Sequence, residues 1–338
     1  MAQNTRQAPR RRVRLGGWRP AALCLATFLA AAVLSLVAPG VARAQVGSDR
    51  YASIVINAAT GNVLSSVNAD EPRYPASLTK LMTLYLVFEA LRDHRISLND
   101  PVPVSEHAAM MSPSKLGLTP ATHITVEEAI LGLVTKSAND AAAALGEMLG
   151  GDEDRFGAMM TLRARALGMT HTVFRNASGL PDPEQVSTAR DLAILARHIV
   201  TDFPNFYGYF STPNFMWHRR LIPNHDHMLE TYPGADGMKT GYTQLAGHNL
   251  VTSAERSGVR LIGVVLGAGS NVERDRQMAW LLDQGFEQMD VPVLVRHQAP
   301  APRGGGLIAA AQASTLEPAV RPAMAASRRM PVPVQTAA

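Results

Sequence analysis

The chain has 338 residues, a length that fits one large domain or two smaller ones, and a formal charge of +4. Seven arginines (Arg6, Arg10, Arg11, Arg12, Arg14, Arg19 and Arg43) and no Lys, Asp or Glu fall in residues 1–44, so the remaining 25 basic residues face 28 acidic ones, a charge of −3. Basicity confined to one terminus excludes the clustered Lys/Arg face that a nucleic-acid partner needs to replace counterions.

In chain order, residues 1–44 read as an export signal. The arginine-rich start precedes an apolar run from Ala21 to Ala38, and Ala42-Arg43-Ala44 offers a small-x-small cleavage pattern ahead of Gln45. The alternative is an uncleaved anchor, since the run is nearly long enough to span a bilayer. Only that case brings the protein to a membrane. The expected location is therefore outside the cytoplasm, in the periplasm or cell envelope. Cys24 is the single cysteine and lies within the apolar run. Cleavage leaves a thiol-free chain, which excludes disulfides, cysteine-ligated zinc and a cysteine nucleophile.

Residues 46–292 have the composition of one folded domain. Ala52 to Ile56 reads as a short strand and Asn62 to Val67 as its return strand, flanking the turn residues Asn57 to Gly61, which predicts a hairpin. Pro75 precedes a helical pattern from Ser77 to about Arg92, apolar at Leu81, Met82, Tyr85, Leu86 and Ala90. Val126 to Met148 reads as helix interrupted at Ser137-Ala138-Asn139; Glu153 to Leu167 and Thr188 to Thr201 read as further helices. Short strands follow near Lys239 to Thr243, Leu250 to Thr252 and Arg260 to Leu266, then a closing helix from Arg274 to Gln288. Two early and three late strands around a helical middle predict an α+β fold: an antiparallel sheet of about five strands from both chain ends, with a helical cluster. Residues 293–338 are rich in Pro, Ala, Gly and Arg, a composition expected to be disordered because it buries too little apolar surface.

Three short polar motifs interrupt this pattern. In Ser77-Leu78-Thr79-Lys80 the serine and lysine share one helix face. A serine hydroxyl is a weak nucleophile until a base takes its proton, and a lysine with a depressed pKa is such a base. The plainer reading is an N-cap serine beside a solvated lysine. Ser112 and Lys115 repeat the spacing, but Pro113, Gly117 and Pro120 predict a loop there. Ser137-Ala138-Asn139 offers a hydroxyl for proton transfer and an amide to orient a substrate or Lys80. Capping at a helix break is the simpler role, and Ser66-Val67-Asn68 has the same spacing. Lys239-Thr240-Gly241 supplies a cation and a hydroxyl for a carboxylate, and Gly241 lets a ligand backbone approach. His218, His225, Asp226 and His227 form no zinc-ligand template, so no metal is expected. Phe210, Phe215 and Trp217 are expected in the core.

Taken together, the three motifs are 60 and 102 residues apart, and the chain resembles the D-alanyl-D-alanine carboxypeptidases, low-molecular-weight penicillin-binding proteins of the SxxK serine-hydrolase superfamily. Further landmarks carry the resemblance: Tyr74 to Thr83, Leu167-Gly168-Met169, Asn176 to Leu180, Ser187 to Asp191 and Gly237 to Gly241. It implies a β-lactamase/D,D-peptidase-like fold with no cofactor. It implies that Ser77 forms an acyl-enzyme and Lys80 is the base. The N–H groups of Ser77 and Tyr242 would form the oxyanion hole, Ser137 would relay the proton and Asn139 would position substrate. Lys239 and Thr240 would hold the terminal carboxylate. Peptidoglycan stem peptides are the implied substrate, and β-lactams the implied inhibitors. Tyr242 stands where some relatives carry His, and His225 follows Asn224 where another basic residue is expected. Arg274 is a further candidate for anion binding. A D,D-endopeptidase that cuts cross-links would use the same residues. A non-catalytic peptidoglycan- or β-lactam-binding module would require a missing catalytic group, and none is missing. A class A β-lactamase is disfavoured because its deacylating glutamate segment is absent.

Overall fold

The computed structural model describes residues 49–295 together with 297 and 298. Both the export signal and nearly all of the Pro/Ala tail lie outside the described residues.

The sheet has five strands: β1 (Ala52–Asn57), β2 (Val63–Val67), β7 (Ala235–Thr243), β8 (Gly247–Arg256) and β9 (Val259–Ala268), in the order β2-β1-β9-β8-β7, all antiparallel. The first and last strands in sequence thus meet at β1 and β9. Two-stranded pairs are made by β3 (Pro101–Val102) with β4 (Ile124–Thr125) and by β5 (Asn214–Trp217) with β6 (Arg220–Pro223). The β5–β6 hairpin was not anticipated. Its turn uses His218 and Arg219 at positive φ in place of the usual Asn-Gly signal. Phe210, Phe215 and Trp217 are buried, as expected.

The longer helices are α1 (Lys80–Arg92), α2 (Asn139–Gly150), α3 (Glu153–Ala166), α4 (Ala189–Asp202) and α5 (Asn271–Gln288). Helix α1 is apolar around nearly its whole circumference and buried from Lys80 to Leu91, which makes it the centre of the helical cluster. Side chains alternate across β1. Ile54 and Ile56 join the core shared with α1, α2 and α4, whereas Val55 joins Leu261, Met278, Leu282 and Phe286 beneath α5. The sheet is therefore covered on both faces. Helix α5 starts three residues before Arg274, capped by Ser270 Oγ accepting from Glu273 N–H at 3.1 Å.

One edge of the sheet is β7, and the nucleophile candidate lies against it. The backbone of Gly241 packs so close to the Ser77 turn that a Cβ there would stand 3.2 Å from both Pro75 O and Ser77 N. Gly241 also lines the cleft where a ligand was expected to approach, and the close packing on the Ser77 segment is a further reason for a glycine there.

Candidate active site

Ser77 lies in a 3-10 turn, Ala76–Thr79, that leads directly into α1. Ala76 has φ +51°, a left-handed conformation that costs a residue with a Cβ about 1–2 kcal/mol. Two contacts hold it. Asn249 on β8 donates to Tyr74 O and Pro75 O at 3.0 and 3.1 Å and accepts from Gly267 N–H at 2.9 Å. From the other side, Gly179 at φ +83° presses on the Ala76 carbonyl, where a Cβ would come within 1.9 Å.

Lys80 opens α1 and its side chain is fully buried. Its Nζ stands 3.3 Å from Ser77 Oγ, 2.6 Å from Asn139 Oδ1 and 2.5 Å from Ser178 O. Burial pushes the Lys80 pKa well below that of a free lysine, and the charge on Lys239 pushes it further; Asp140 and Glu153 act in the opposite sense. A neutral amine has two hydrogens and one lone pair. Asn139 Oδ1 and Ser178 O accept both hydrogens, so the lone pair is left for the Ser77 hydroxyl. This is the geometry of a general base.

Ser137 and Asn139 sit where a π-turn, Gly132–Lys136, gives way to α2. Ser137 is left-handed at φ +60° and its Oγ is buried without a hydrogen-bond partner among the described residues. Asn139 Nδ2 donates to Ser112 O at 2.8 Å, which fixes its oxygen toward Lys80. Asp140 accepts from the N–H groups of Leu116, Gly117 and Leu118 and so pins the loop that walls the cleft. The competing Ser112–Lys115 pair belongs to that loop; Lys115 Nζ donates to Ala109 O, away from any serine hydroxyl.

A cleft of about 490 Å³ runs along the β7 edge. Seven of the nine predicted site residues line it: Ser77, Ser137, Asn139, Thr240, Gly241, Tyr242 and Arg274. The two lysines, Lys80 and Lys239, lie buried behind it. Lys239 Nζ donates to Thr240 O at 3.0 Å, and burial brings its pKa down to about 7, with Arg274 lowering it and Asp226 opposing. Arg274 is buried except for its face on the cleft, and its Nη2 pairs with Asp275 at 2.8 Å. His225 also lines the cleft. Burial and the surrounding cations hold its pKa at about 4, so it is neutral at pH 7 and supplies no fixed charge. Tyr242 is largely exposed and packs on His248 at 4.4 Å between ring centres.

Comparison with known proteins bears directly on this arrangement. The peptidase S11 family, described as D-alanyl-D-alanine carboxypeptidase, matches residues 40–270. The chain belongs to the D-alanyl-D-alanine carboxypeptidase family. D-alanyl-D-alanine carboxypeptidase DacF of Bacillus subtilis is 35% identical over 293 residues, covering 82% of this chain and 74% of that protein. DacC of Escherichia coli is 37% identical, covering 74% of this chain and 64% of that one. Among solved structures, penicillin-binding protein 5 of Haemophilus influenzae superposes with a TM-score of 0.69 at 36% identity, covering 73% of each chain. Penicillin-binding protein D2 of Listeria monocytogenes in its cefotaxime-bound form superposes at 0.64 and 33% identity, covering 70% of this chain and 96% of that one.

Several contributors to this carboxypeptidase site were not singled out from sequence. The Ser178 carbonyl, Asn249 and Asp140 act through backbone contacts that no motif announces. Asn249 did carry a signal: a buried amide between the apolar residues of β8 must find partners. Asp226 is wholly buried beside Lys239 and Arg274. Its Oδ1 accepts from Met228 N–H at 3.0 Å, its Oδ2 has no hydrogen-bond partner among the described residues, and burial raises its pKa to about 6. In the sequence it appeared only as part of a histidine-rich cluster. Among the described residues no group of His, Cys, Asp and Glu is arranged to hold a metal ion.

Proposed function

We propose that this protein removes the terminal D-Ala of peptidoglycan stem peptides through an acyl-enzyme on Ser77. The observation that carries the reading is the buried Lys80 amine, 3.3 Å from Ser77 Oγ with both of its hydrogens engaged elsewhere. Lys80 takes the Ser77 proton as the hydroxyl attacks the penultimate D-Ala carbonyl. The N–H groups of Ser77 and Tyr242 stabilise the oxyanion, in keeping with the close approach of β7 to the Ser77 turn. Thr240, Arg274 and the charge of Lys239 receive the terminal carboxylate. Ser137, a cleft-lining residue whose buried hydroxyl has no hydrogen-bond partner among the described residues, hands the proton to the departing D-Ala amine. Asn139 holds Lys80 and the substrate amide. Water then attacks the acyl-enzyme with Lys80 again as base.

The same nucleophile accounts for β-lactam binding, for which the cefotaxime- and ampicillin-bound relatives give support. We also infer export, from the arginine-rich start, the apolar run and the Ala42-Arg43-Ala44 pattern, with residues 46–292 as the catalytic domain and 293–338 as a tail. No helix among the described residues is long and apolar enough to cross a membrane.

The test is digestion of purified pentapeptide muropeptides and of cross-linked dimers. Release of free D-Ala from the monomers, absent in Ser77→Ala, is expected. Cleavage of dimers without release of terminal D-Ala would replace the carboxypeptidase reading with a D,D-endopeptidase.

A further inference from the structure

Glu153 is the first residue of α3, a position where an acidic side chain is ordinary because it favours the helix dipole. Two observations set it apart. Its side chain is only 13% exposed, and each of its oxygens has its own partner. Oε1 accepts from Ala177 N–H at 3.0 Å, and Oε2 lies 3.4 Å from His107 Nε2. The other ring nitrogen, His107 Nδ1, lies 2.8 Å from Glu147 Oε1 on α2, so one imidazole braces the carboxylates of two neighbouring helices.

The segment that Glu153 holds is the one that presents an acceptor to Lys80. Ala177 O accepts from Thr83 Oγ1 at 2.7 Å, and Ser178 O from Lys80 Nζ at 2.5 Å. Lys80 and Thr83 share a face of α1, so two consecutive carbonyls dock on one helix face. The N–H groups of Ser178 and Gly179 are taken by Asn176 Oδ1 at 3.3 and 2.7 Å. Ala177 is fully buried, and Glu153 supplies the acceptor for its N–H. A buried N–H deprived of its acceptor is costly, so without Glu153 the segment shifts to find another. A displaced Ser178 carbonyl frees one hydrogen of the Lys80 amine, which then rotates and turns its lone pair away from Ser77.

The charge of Glu153 works in the other direction. It favours protonated Lys80, which is the form that cannot act as a base. Glu153 therefore opposes the reaction by charge and supports it by reach, and it is not among the residues that line the cleft.

On the reading of Lys80 as the base, we propose that Glu153 is a positioning residue for the reaction: its carboxylate, braced by His107, anchors Ala177 N–H and so keeps the Ser178 carbonyl in place to orient the Lys80 amine.

The test compares Glu153→Gln with Glu153→Asp in the full-length protein. Glutamine keeps an oxygen at the same reach and removes the charge. Aspartate keeps the charge, suits the first turn of a helix, and withdraws the oxygens by one methylene from Ala177 N–H. Acylation by a fluorescent penicillin is followed by stopped flow, and D-Ala release from a peptide ending in D-Ala-D-Ala by steady-state assay. Glu153→Gln is expected to acylate at close to the wild-type rate. Glu153→Asp is expected to be slower by about 10–100-fold, in kcat with KM little changed, as for a displaced catalytic group. Asp154→Ala, which removes an acid from the same helical turn, is expected to match the wild type. A wild-type rate in Glu153→Asp, or a Glu153→Gln as slow as Glu153→Asp, would overturn the positioning role. Undiminished acylation in Lys80→Met would count instead against Lys80 as the base, and is read separately.

Discussion

Asn139 Oδ1 lies 2.6 Å from Lys80 Nζ, across 59 residues of sequence, and its own amide nitrogen is anchored on Ser112 O at 2.8 Å. Asn139 is thereby fixed as an acceptor for a lysine hydrogen, which orients the remaining lone pair toward Ser77. Replacing it with aspartate would keep the shape and add a negative charge beside the amine. That charge favours protonated Lys80 and raises its pKa. The acid limb of the pH profile for penicillin acylation should therefore move to higher pH in Asn139→Asp, as stopped-flow labelling across pH would read.

Lys80→Met should lower the acylation rate about 10²–10⁴-fold, the usual contribution of a positioned base. Its effect on stability has a defined pH sense. The Lys80 pKa is lower in the folded protein than in the unfolded chain, so the unfolded chain binds more protons between the two values. Stability contributed by this group therefore rises with pH across that window. Urea unfolding at several pH values should show a shallower rise in Lys80→Met than in the wild type.

Lys239 loses its proton near pH 7 in the free enzyme, and with it the charge that attracts a carboxylate. KM for carboxylate-ended peptides should rise as pH is raised through this value. Asp226 supports the protonated form of Lys239, so Asp226→Asn should move this limb to lower pH. Steady-state assays of D-Ala release from pH 5 to 9 test both statements.

Gly179 is required for a steric reason. An alanine there would sit at φ +83° with its Cβ 1.9 Å from the Ala76 carbonyl. Gly179→Ala should cost about 2–4 kcal/mol through strain at a left-handed position and displacement of the nucleophile turn. For a domain of this size that is a fall in Tm of about 4–16 °C. Differential scanning calorimetry reads the fall, and penicillin labelling should slow with it.

The α+β class and an antiparallel sheet of five strands drawn from both chain ends were legible in the sequence, and the nine candidate site residues fall in or directly behind one cleft. Strand β1 is a short apolar run ended by the Asn57–Gly61 turn, α1 follows Pro75, and the Ser77, Ser137 and Lys239 motifs are each short and local. What escaped was carried by tertiary contact. Burial is the largest cause of the lysine's lost basicity, and no residue spacing reveals it. The Ser178 carbonyl and the clasp of Asn249 on Tyr74 and Pro75 join segments about 98 and 175 residues apart. The packing of Gly241 on the backbone of Ser77 escaped for the same reason: only the folded sheet brings the two together.

Mass spectrometry of the protein after incubation with benzylpenicillin, followed by peptide mapping, tests the central claim most directly. The account predicts one covalent adduct, on Ser77, formed by the wild type and lost in both Ser77→Ala and Lys80→Met over the same exposure. An adduct on any other residue, or undiminished labelling of Ser77→Ala, would contradict it.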